Sequence, residues 1–132
     1  MITIPEKYAD ILHSNALAYF ASTGPGGTPQ VSPVWFVWDG GQIVFSTTND
    51  RQKYRNVVRE PQVSVAITDP NNPFRSLEIR GRARSEDDHG YRVAHLVARK
   101  YTGQDATPQM IPPHEQRVAI SITPEKLLVF DH

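Results

Sequence analysis

The 132-residue chain contains 14 basic and 14 acidic side chains, which give a formal net charge of zero. This balance excludes an overall positive field that would attract nucleic acid or a membrane surface, so any recognition of charge must be local. The length fits one domain, residues 1–132, and the absence of cysteine excludes disulfides, thiolate metal sites and a cysteine nucleophile.

The first third of the chain predicts a short amphipathic helix followed by three strands. We expect these elements at residues 4–13, 17–22, 29–38 and 42–47. Asp39-Gly40 is typical of the hairpin turn between the last two strands. The second strand is apolar on both faces from Val34 onward, and Pro33 indicates an edge, a bulge or a place where the sheet opens. Trp35 and Trp38 are predicted to lie in the core or in an interface.

A short cationic helix is predicted after the third strand. Asn49 and Asp50 offer N-cap side chains for a helix that runs to Arg59, and Pro61 ends it. The expected buried face consists of Tyr54, Val57 and Val58. The first turn carries three cations, although a helix N-terminus prefers anions. These cations are Arg51, Lys53 and Arg55.

Two interpretations of this cationic turn are open. In the first, the cations extend from a solvated helix face and are partly compensated by Asp50 and Glu60. In the second, they bind one phosphate together with free N–H groups of the helix and with hydroxyls of the preceding strand. Those hydroxyls belong to Ser46, Thr47 and Thr48. A bound dianion would convert the local repulsion into attraction.

The rest of the chain predicts four strands and one further helix. The strands are expected at residues 63–68, 76–85, 118–122 and 127–130, and the helix at residues 90–101. Gly81 indicates a bulge or a close backbone approach in the second of these strands. Asp87 or Asp88 is expected to cap the helix, and Gly103 is expected to end it. A turn at residues 124–126 separates the last two strands.

Six or seven antiparallel strands with two or three short helices predict a mainly β, α+β fold. This pattern favours a small closed or partly split barrel over an open sheet. Residues 104–116 contain three prolines and no periodicity, which is typical of a functional flap or an interface arm. The sequence shows no signal peptide and no apolar stretch of membrane length, so we expect a cytoplasmic protein without integral membrane association.

No side chain stands out as an acid, a base or a nucleophile. The five histidines show no metal-ligand spacing, and no serine lies in a G-x-S-x-G motif. The acidic residues occupy positions that suit turns and helix caps. We therefore predict no catalytic side chain and no metal site. If the protein is an enzyme, a cofactor is expected to carry the chemistry.

The order of these segments resembles the pyridoxamine 5′-phosphate oxidase-like split β-barrel superfamily. The resemblance covers nearly the whole chain and rests on GPGGTPQVSPVWFVWDGG, a strand ending FSTT, DRQKYRNVVREPQVSVAI and SLEIRGRAR. Three segments resemble the actinobacterial branch that uses the deazaflavin coenzyme F-420 more than the FMN oxidases. They are TPQVSPVWF, the R-x-K-x-R-N segment followed by R-E-P, and DPNNPFRSLEIRG.

The resemblance implies a homodimer with two cofactor sites at the subunit interface, each built from both chains. It places the cofactor phosphate on strand-end hydroxyls and on the basic segment, namely Ser46, Thr47, Thr48, Arg51 and Lys53, with Gln52, Arg55 and Asn56 nearby. It places Gln30, Val31 and Ser32 along the ring system. The segment that matches the partner subunit's contribution contains Phe74, Arg75 and Leu77. Extra cations at Arg55, Arg75 and Arg80 favour F-420 over FMN, because F-420 carries a long anionic tail.

The implied function is an oxidoreductase in which reduced F-420 passes a hydride to a small electron-poor organic acceptor. An enone, a quinone or a tetrapyrrole-like compound would fit this description. Two alternatives are open, and each concerns the same barrel. One is an FMN-binding oxidoreductase, and the other is a noncatalytic protein that carries or stores F-420 or a flavin.

Overall fold

Seven strands and three α-helices make up the computed structural model, which describes all 132 residues. The strands are β1 (Ala18–Thr23), β2 (Pro29–Val34), β3 (Val37–Asp39), β4 (Gln42–Thr48), β5 (Gln62–Thr68), β6 (Arg75–Asp87) and β7 (Arg117–Asp131). The α-helices are α1 (Ala9–Leu12), α2 (Gln52–Arg59) and α3 (Arg92–Thr102). Short 3-10 turns span Glu6–Tyr8, Pro25–Gly27 and His89–Tyr91. The strands form one antiparallel sheet, which confirms the predicted fold class.

The sheet curls into a split barrel. Its strand order is β2-β1-β5-β6-β7-β4-β3, so β2 and β3 are the two edges. Only Trp35 and Phe36 separate these edge strands along the chain, which limits the distance between their joined ends to about 11 Å. Phe20 of β1 and Phe45 of β4 are not neighbours in the sheet, yet their ring centroids lie 4.8 Å apart. The sheet therefore encloses a core, with the split between β2 and β3.

Apolar side chains from alternate strand positions and from α1 fill this barrel. The fully buried ones include Ile11, Leu12, Phe20, Phe36, Phe45, Ile67, Ile79, Ile120 and Ile122. Burial of each such side chain contributes roughly 1.5–3 kcal/mol, so this set dominates the stability of the fold. On β6, Ile79 and Ala83 point inward, whereas Arg80 and Arg82 are exposed, as the sequence alternation predicts.

The strand predicted at residues 29–38 is interrupted. Trp35 and Phe36 belong to no strand, because the chain crosses there from one edge of the sheet to the other. Pro33 lies on edge strand β2 next to this crossover, in agreement with its missing N–H. Trp38 packs partly buried against the barrel core, as predicted, whereas Trp35 is exposed.

The turn predicted at residues 124–126 is wrong, because β7 continues through it. The pairing of β6 with β7 shifts by one residue at this point, which confirms the bulge predicted at Gly81. Arg80 pairs with Lys126 and Gly81 pairs with Pro124, so Glu125 has no partner on β6. Proline suits a bulge as well as a turn, so the sequence alone did not distinguish the two.

Local cap and turn chemistry follows the sequence closely. The Asp88 carboxylate accepts hydrogen bonds from the N–H groups of Val93 at 2.9 Å and Ala94 at 3.0 Å, which caps α3. Gly103 ends α3 with a φ of 81°. Gly40-Gly41, with φ values of 60° and 80°, forms the turn between β3 and β4. None of the helices has the length and apolar character that a membrane crossing requires.

Lys100 of α3 holds the crossover between β2 and β3. Its Nζ donates to the carbonyl oxygens of Phe36 at 2.9 Å and Leu12 at 3.5 Å. The same Nζ lies 3.7 Å from the centroid of the Phe36 ring. No carboxylate pairs with it. Burial lowers the pKa of Lys100 to about 8.

This lowered pKa predicts a pH-dependent contribution to stability. The unfolded chain binds the Lys100 proton up to a pKa of about 10.4, whereas the folded chain releases it near 8, so stability should rise with pH between these values. We expect the free energy of unfolding of the wild type, relative to Lys100→Met, to increase from about pH 7 to about pH 9.5. Urea unfolding of both proteins measures this difference.

Tyr101 does not complicate this comparison, because burial raises the pKa of its hydroxyl. A difference between the two proteins that stays constant, or that falls as pH rises, would contradict the assignment to Lys100.

Candidate functional site

A cavity of about 320 Å³ lies where β4 ends and α2 begins. The walls from β4, α2 and the start of β7 are polar, and we call them the cationic wall. They consist of Ser46, Thr47, Thr48, Arg51, Lys53 and Arg117. The walls from α3, the 104–116 loop and the β2–β3 crossover are mainly apolar, and we call them the apolar wall. This wall includes Trp35, Ala94, Val97, Ala98, Met110 and Ile111.

Arg117 is the cation that β7 contributes to the cationic wall. Its Nη2 donates to Ser46 Oγ at 2.7 Å, and its Nη1 lies 3.5 Å from a carboxylate oxygen of Glu115. Its Nε is buried and has no hydrogen-bond acceptor. An unsatisfied buried guanidinium N–H is costly. The Arg117 guanidinium is also a cation of the cavity lining, where it can pair with an anion.

At the start of α2, the backbone N–H groups of Gln52 and Lys53 have no hydrogen-bond partner. The helix begins at Gln52 with Arg51 at the N-cap, and no side chain caps it. The predicted caps Asn49 and Asp50 are therefore wrong. The Asp50 carboxylate instead accepts a hydrogen bond from the Thr48 hydroxyl, which draws it away from the helix end. The first N–H groups of α2 are left available to an anion.

The cavity lining contains three cations and no aspartate, glutamate or histidine. Burial, together with the nearby charge of Arg51, lowers the pKa of Lys53. The free protein thus disfavours the charged form of Lys53, and a bound anion would reverse this effect. No group of three or more His, Cys, Asp or Glu side chains could hold a metal ion.

The buried face of α2, which packs against the barrel, contains other residues than predicted. Asn56 and Val57 are buried, whereas Val58 is 62% exposed and does not belong to the buried face. Asn56 Nδ2 donates to Ser22 Oγ at 3.0 Å and to Gln30 Oε1 at 2.9 Å, so hydrogen bonds compensate its burial. An apolar pattern could not reveal this rotation of the helix, because the buried position is polar.

Gln52, Arg55 and Asn56 support α2 rather than line the cavity. Gln52 donates to Asn56 Oδ1 at 2.7 Å. The Arg55 guanidinium donates to the Asp50 carbonyl oxygen and to Gln52 Oε1, both at 2.8 Å. Of the three predicted cations in the first turn, the structure therefore directs Arg51 and Lys53 to the cavity and turns Arg55 back onto the chain.

A family model described as pyridoxamine 5′-phosphate oxidase matches residues 4–130. The chain belongs to the pyridoxamine 5′-phosphate oxidase family. A solved structure named F420 reductase is 34% identical, with a TM-score of 0.83, over 95% of this chain and 98% of that one. Rv2991, a conserved hypothetical protein of Mycobacterium tuberculosis, is 27% identical, with a TM-score of 0.81, over 99% and 87%. HupZ of Group A Streptococcus, at 20% identity and a TM-score of 0.68 over 96% and 94%, shares the fold. No curated protein matches the chain.

The residues that the family resemblance places along a ring system lie beside the cavity and do not line it. Ser32 is paired with Phe20 of the core, so it points into the barrel, and its buried hydroxyl has no hydrogen-bond partner. Gln30 points inward as well, toward Asn56. Val31 points outward and is 64% exposed. The cavity begins one residue later on this strand, at Pro33.

The residues that the family resemblance assigns to the partner subunit lie away from the cavity of their own chain. Phe74 is exposed, and Leu77 is fully buried. Arg75 Nη1 forms ion pairs with Asp10 at 2.7 Å and with Asp69 at 2.9 Å. These carboxylates raise the pKa of Arg75. Of the three, only Phe74 presents its side chain freely at the surface.

Sequence reasoning missed Arg117 and the apolar wall. Arg117 precedes the strand pattern that starts at Val118, but its proximity to Ser46 depends on pairing between β4 and β7, which lie 71 residues apart at this contact. The prolines of the 104–116 loop indicated a functional segment, and Met110 and Ile111 of that loop do line the cavity. Nothing in the loop sequence specified which element it would cover.

Proposed function

We propose that this protein is an oxidoreductase that uses reduced F-420 to transfer a hydride to an electron-poor organic acceptor. Enones, quinones and tetrapyrrole-like compounds are the acceptor classes that we expect. The observation that carries the proposal is the cationic wall, where three cations and three hydroxyls meet an uncapped helix start. A relative named F420 reductase, 34% identical over 95% of the chain, supports the choice of cofactor.

The residues of the cationic wall suit the phosphate of such a cofactor. Arg117 is a cation of the cavity lining, and Lys53 is a cation whose charged form is disfavoured in the empty cavity. Arg51, Ser46 and the free N–H groups at the start of α2 complete the set of donors. When bound, reduced F-420 supplies the hydride. The chain itself binds and orients the reactants, and its apolar wall excludes water from one side of the cavity.

An FMN-binding oxidoreductase is a second candidate, because the same donors suit the phosphate of FMN. Two of the cations that we expected to favour the tail of F-420 are already paired. Arg75 is held by Asp10 and Asp69, and Arg80 is held by Glu78 at 2.9 Å. The preference for F-420 therefore rests on the F420 reductase relative.

Calorimetric titration of F-420 and of FMN into the purified protein separates these candidates. The proposal predicts tighter binding of F-420 and oxidation of reduced F-420 when an enone or a quinone is added. Tighter binding of FMN would show that the protein is an FMN-binding oxidoreductase instead. Tight binding of F-420 with no oxidation by any acceptor of a broad panel would favour a noncatalytic carrier.

We also propose a homodimer. In the apolar run at residues 34–38, Val34 and Phe36 are buried within one chain, and only Trp35 is exposed. The surplus apolar surface lies instead on the outer face of the sheet, around Tyr19, Val31 and Phe130. An exposed apolar patch of this kind marks an interface in many soluble proteins.

Sedimentation velocity at micromolar concentration should show a dimer, and Val31→Glu should convert it to a monomer, because a carboxylate would be buried in the interface. Val58→Glu is the matched control, since Val58 is equally exposed but lies on α2. A monomeric wild type would contradict this prediction.

A further inference from the structure

Trp35 is held rigidly and yet stays accessible. Its indole stacks on the Tyr101 ring with centroids 4.9 Å apart and an interplanar angle of 4°. It is nevertheless 39% exposed, and it lines the cavity. Tyr101 covers one face of the indole, so the accessible part of Trp35 belongs to the other face and the ring edge.

Side chains of α3 fix the backbone next to Trp35 from two directions. The Tyr101 hydroxyl accepts a hydrogen bond from the Phe36 N–H at 3.3 Å and donates to the Ala16 carbonyl oxygen at 2.7 Å. Lys100 Nζ donates to the Phe36 carbonyl oxygen at 2.9 Å. Both backbone groups of a residue that lies outside every strand are therefore bonded to one helix.

A purely structural role, in which α3 stabilises the crossover at the split of the barrel, would explain the hydrogen bonds of Tyr101 and Lys100. We call this role a brace. Phe36 is fully buried, and the hydrogen bonds to its backbone close the crossover whatever side chain precedes it. A brace does not require a large exposed indole next to a cavity. The position of Trp35 therefore calls for a function beyond closing the barrel.

The surroundings of Trp35 in the cavity suit an uncharged ring. Ala94, Val97 and Ala98 of α3 are small side chains that leave space, and Met110 and Ile111 of the loop add apolar surface. A methionine adapts to flat ligands of different outline. A planar ring that stacks on an indole face gains affinity from the contact itself, without a hydrogen-bond partner.

We propose that Trp35 is a stacking platform for the ring of the hydride acceptor, held in place by Tyr101 and Lys100. The acceptor class that fits is a small planar quinone or enone, bound at the apolar wall. The cofactor phosphate would bind at the cationic wall of the same cavity. This assignment rests on the proposed function and adds to it the residue that selects the acceptor.

Tryptophan fluorescence tests the platform without measuring activity. The chain has two tryptophans, so Trp38→Phe leaves Trp35 as the only tryptophan, and Trp35→Phe leaves only Trp38. Excitation at the red edge of the absorption band selects tryptophan over the five tyrosines. Trp38 does not line the cavity and serves as the control. Titration with menadione, a planar quinone, should quench the Trp38→Phe protein in a saturable manner. The Trp35→Phe protein should show only the linear quenching of random collisions. Absence of saturable quenching, or equal quenching of both proteins, would overturn the proposal.

A second titration distinguishes the acceptor ring from the cofactor ring. With saturating F-420 present, the dissociation constant of menadione should stay the same within about twofold if the two bind together. Displacement of menadione by F-420 would assign the platform to the cofactor ring and overturn the assignment to the acceptor. Trp35→Ala should weaken menadione binding by about threefold to tenfold and leave F-420 binding unchanged. Failure of the wild type to bind F-420 would contradict the proposed function, independently of the quenching result.

Discussion

Lys53→Ala is expected to weaken binding of F-420 roughly tenfold to hundredfold, because a charge-assisted hydrogen bond contributes about 1.5–3 kcal/mol. The free protein should lose no stability. Burial and the charge of Arg51 lower the pKa of Lys53, so its charged form is disfavoured while the cavity is empty. Thermal melting of the free variant should match the wild type or lie slightly above it. Calorimetric titration with F-420 measures the affinity.

Arg55→Ala is the matched control for Lys53→Ala. Both residues are cations of the same helix, but the Arg55 guanidinium is bonded to the Asp50 carbonyl oxygen and to Gln52 and does not line the cavity. We expect the affinity of this variant for F-420 to change by about threefold at most, as for an exposed charge. Full affinity in Lys53→Ala would support the interpretation in which the cations only extend from a solvated helix face. Equal losses in both variants would contradict the assignment of Lys53, and not Arg55, to the phosphate site.

Gly81→Ala is expected to lower the free energy of unfolding by about 3 kcal/mol or more, which is a large effect for the addition of one methyl group. A Cβ at this position would lie 3.0 Å from the carbonyl carbon of Thr123 and closer still to its oxygen. Both atoms belong to the backbone of β7, so the clash cannot be relieved by rotating a side chain. The bulge would have to open. Urea unfolding of the variant and the wild type measures the loss.

Gly103→Ala separates this clash from the ordinary cost of replacing a glycine. Gly103 has a φ of 81° at the end of α3, and no atom lies within 4 Å of a Cβ built there. Its replacement should cost about 1–2 kcal/mol, the penalty of a left-handed backbone for an alanine. A loss at Gly81 no greater than the loss at Gly103 would contradict the close approach of β6 and β7.

The features that the sequence predicted correctly depend on neighbours in the chain. Examples are the alternation in β5 and β6, the hairpin before β4 and the Asp88 cap of α3. Each depends only on residues a few positions apart in the sequence. The cationic start of α2 was visible for the same reason. Five residues predicted to bind phosphate lie together at the cavity, because they occupy one short segment where β4 passes into α2.

The features that the sequence did not reveal depend on distant partners. Pro124 forms a bulge rather than a turn because β6 presents Gly81 opposite it. Arg117 reaches the cavity because β7 pairs with β4, and Trp35 reaches it because α3 holds the crossover. Asn56, rather than the predicted Val58, lies on the buried face of α2, because Ser22 and Gln30 accept hydrogen bonds from its amide. A periodic pattern of apolar residues carries no information about such contacts.

The central claim is that the cationic wall binds a cofactor phosphate. Its most direct test compares F-420 with the deazaflavin ribityl compound that lacks the phosphate and the tail, each titrated into the wild type. We expect the phosphate-free compound to bind about a hundredfold more weakly or worse, since it forfeits charge-assisted contacts with Arg51, Lys53 and Arg117. FMN and riboflavin should differ in the same direction. Equal affinity within each pair would contradict the account.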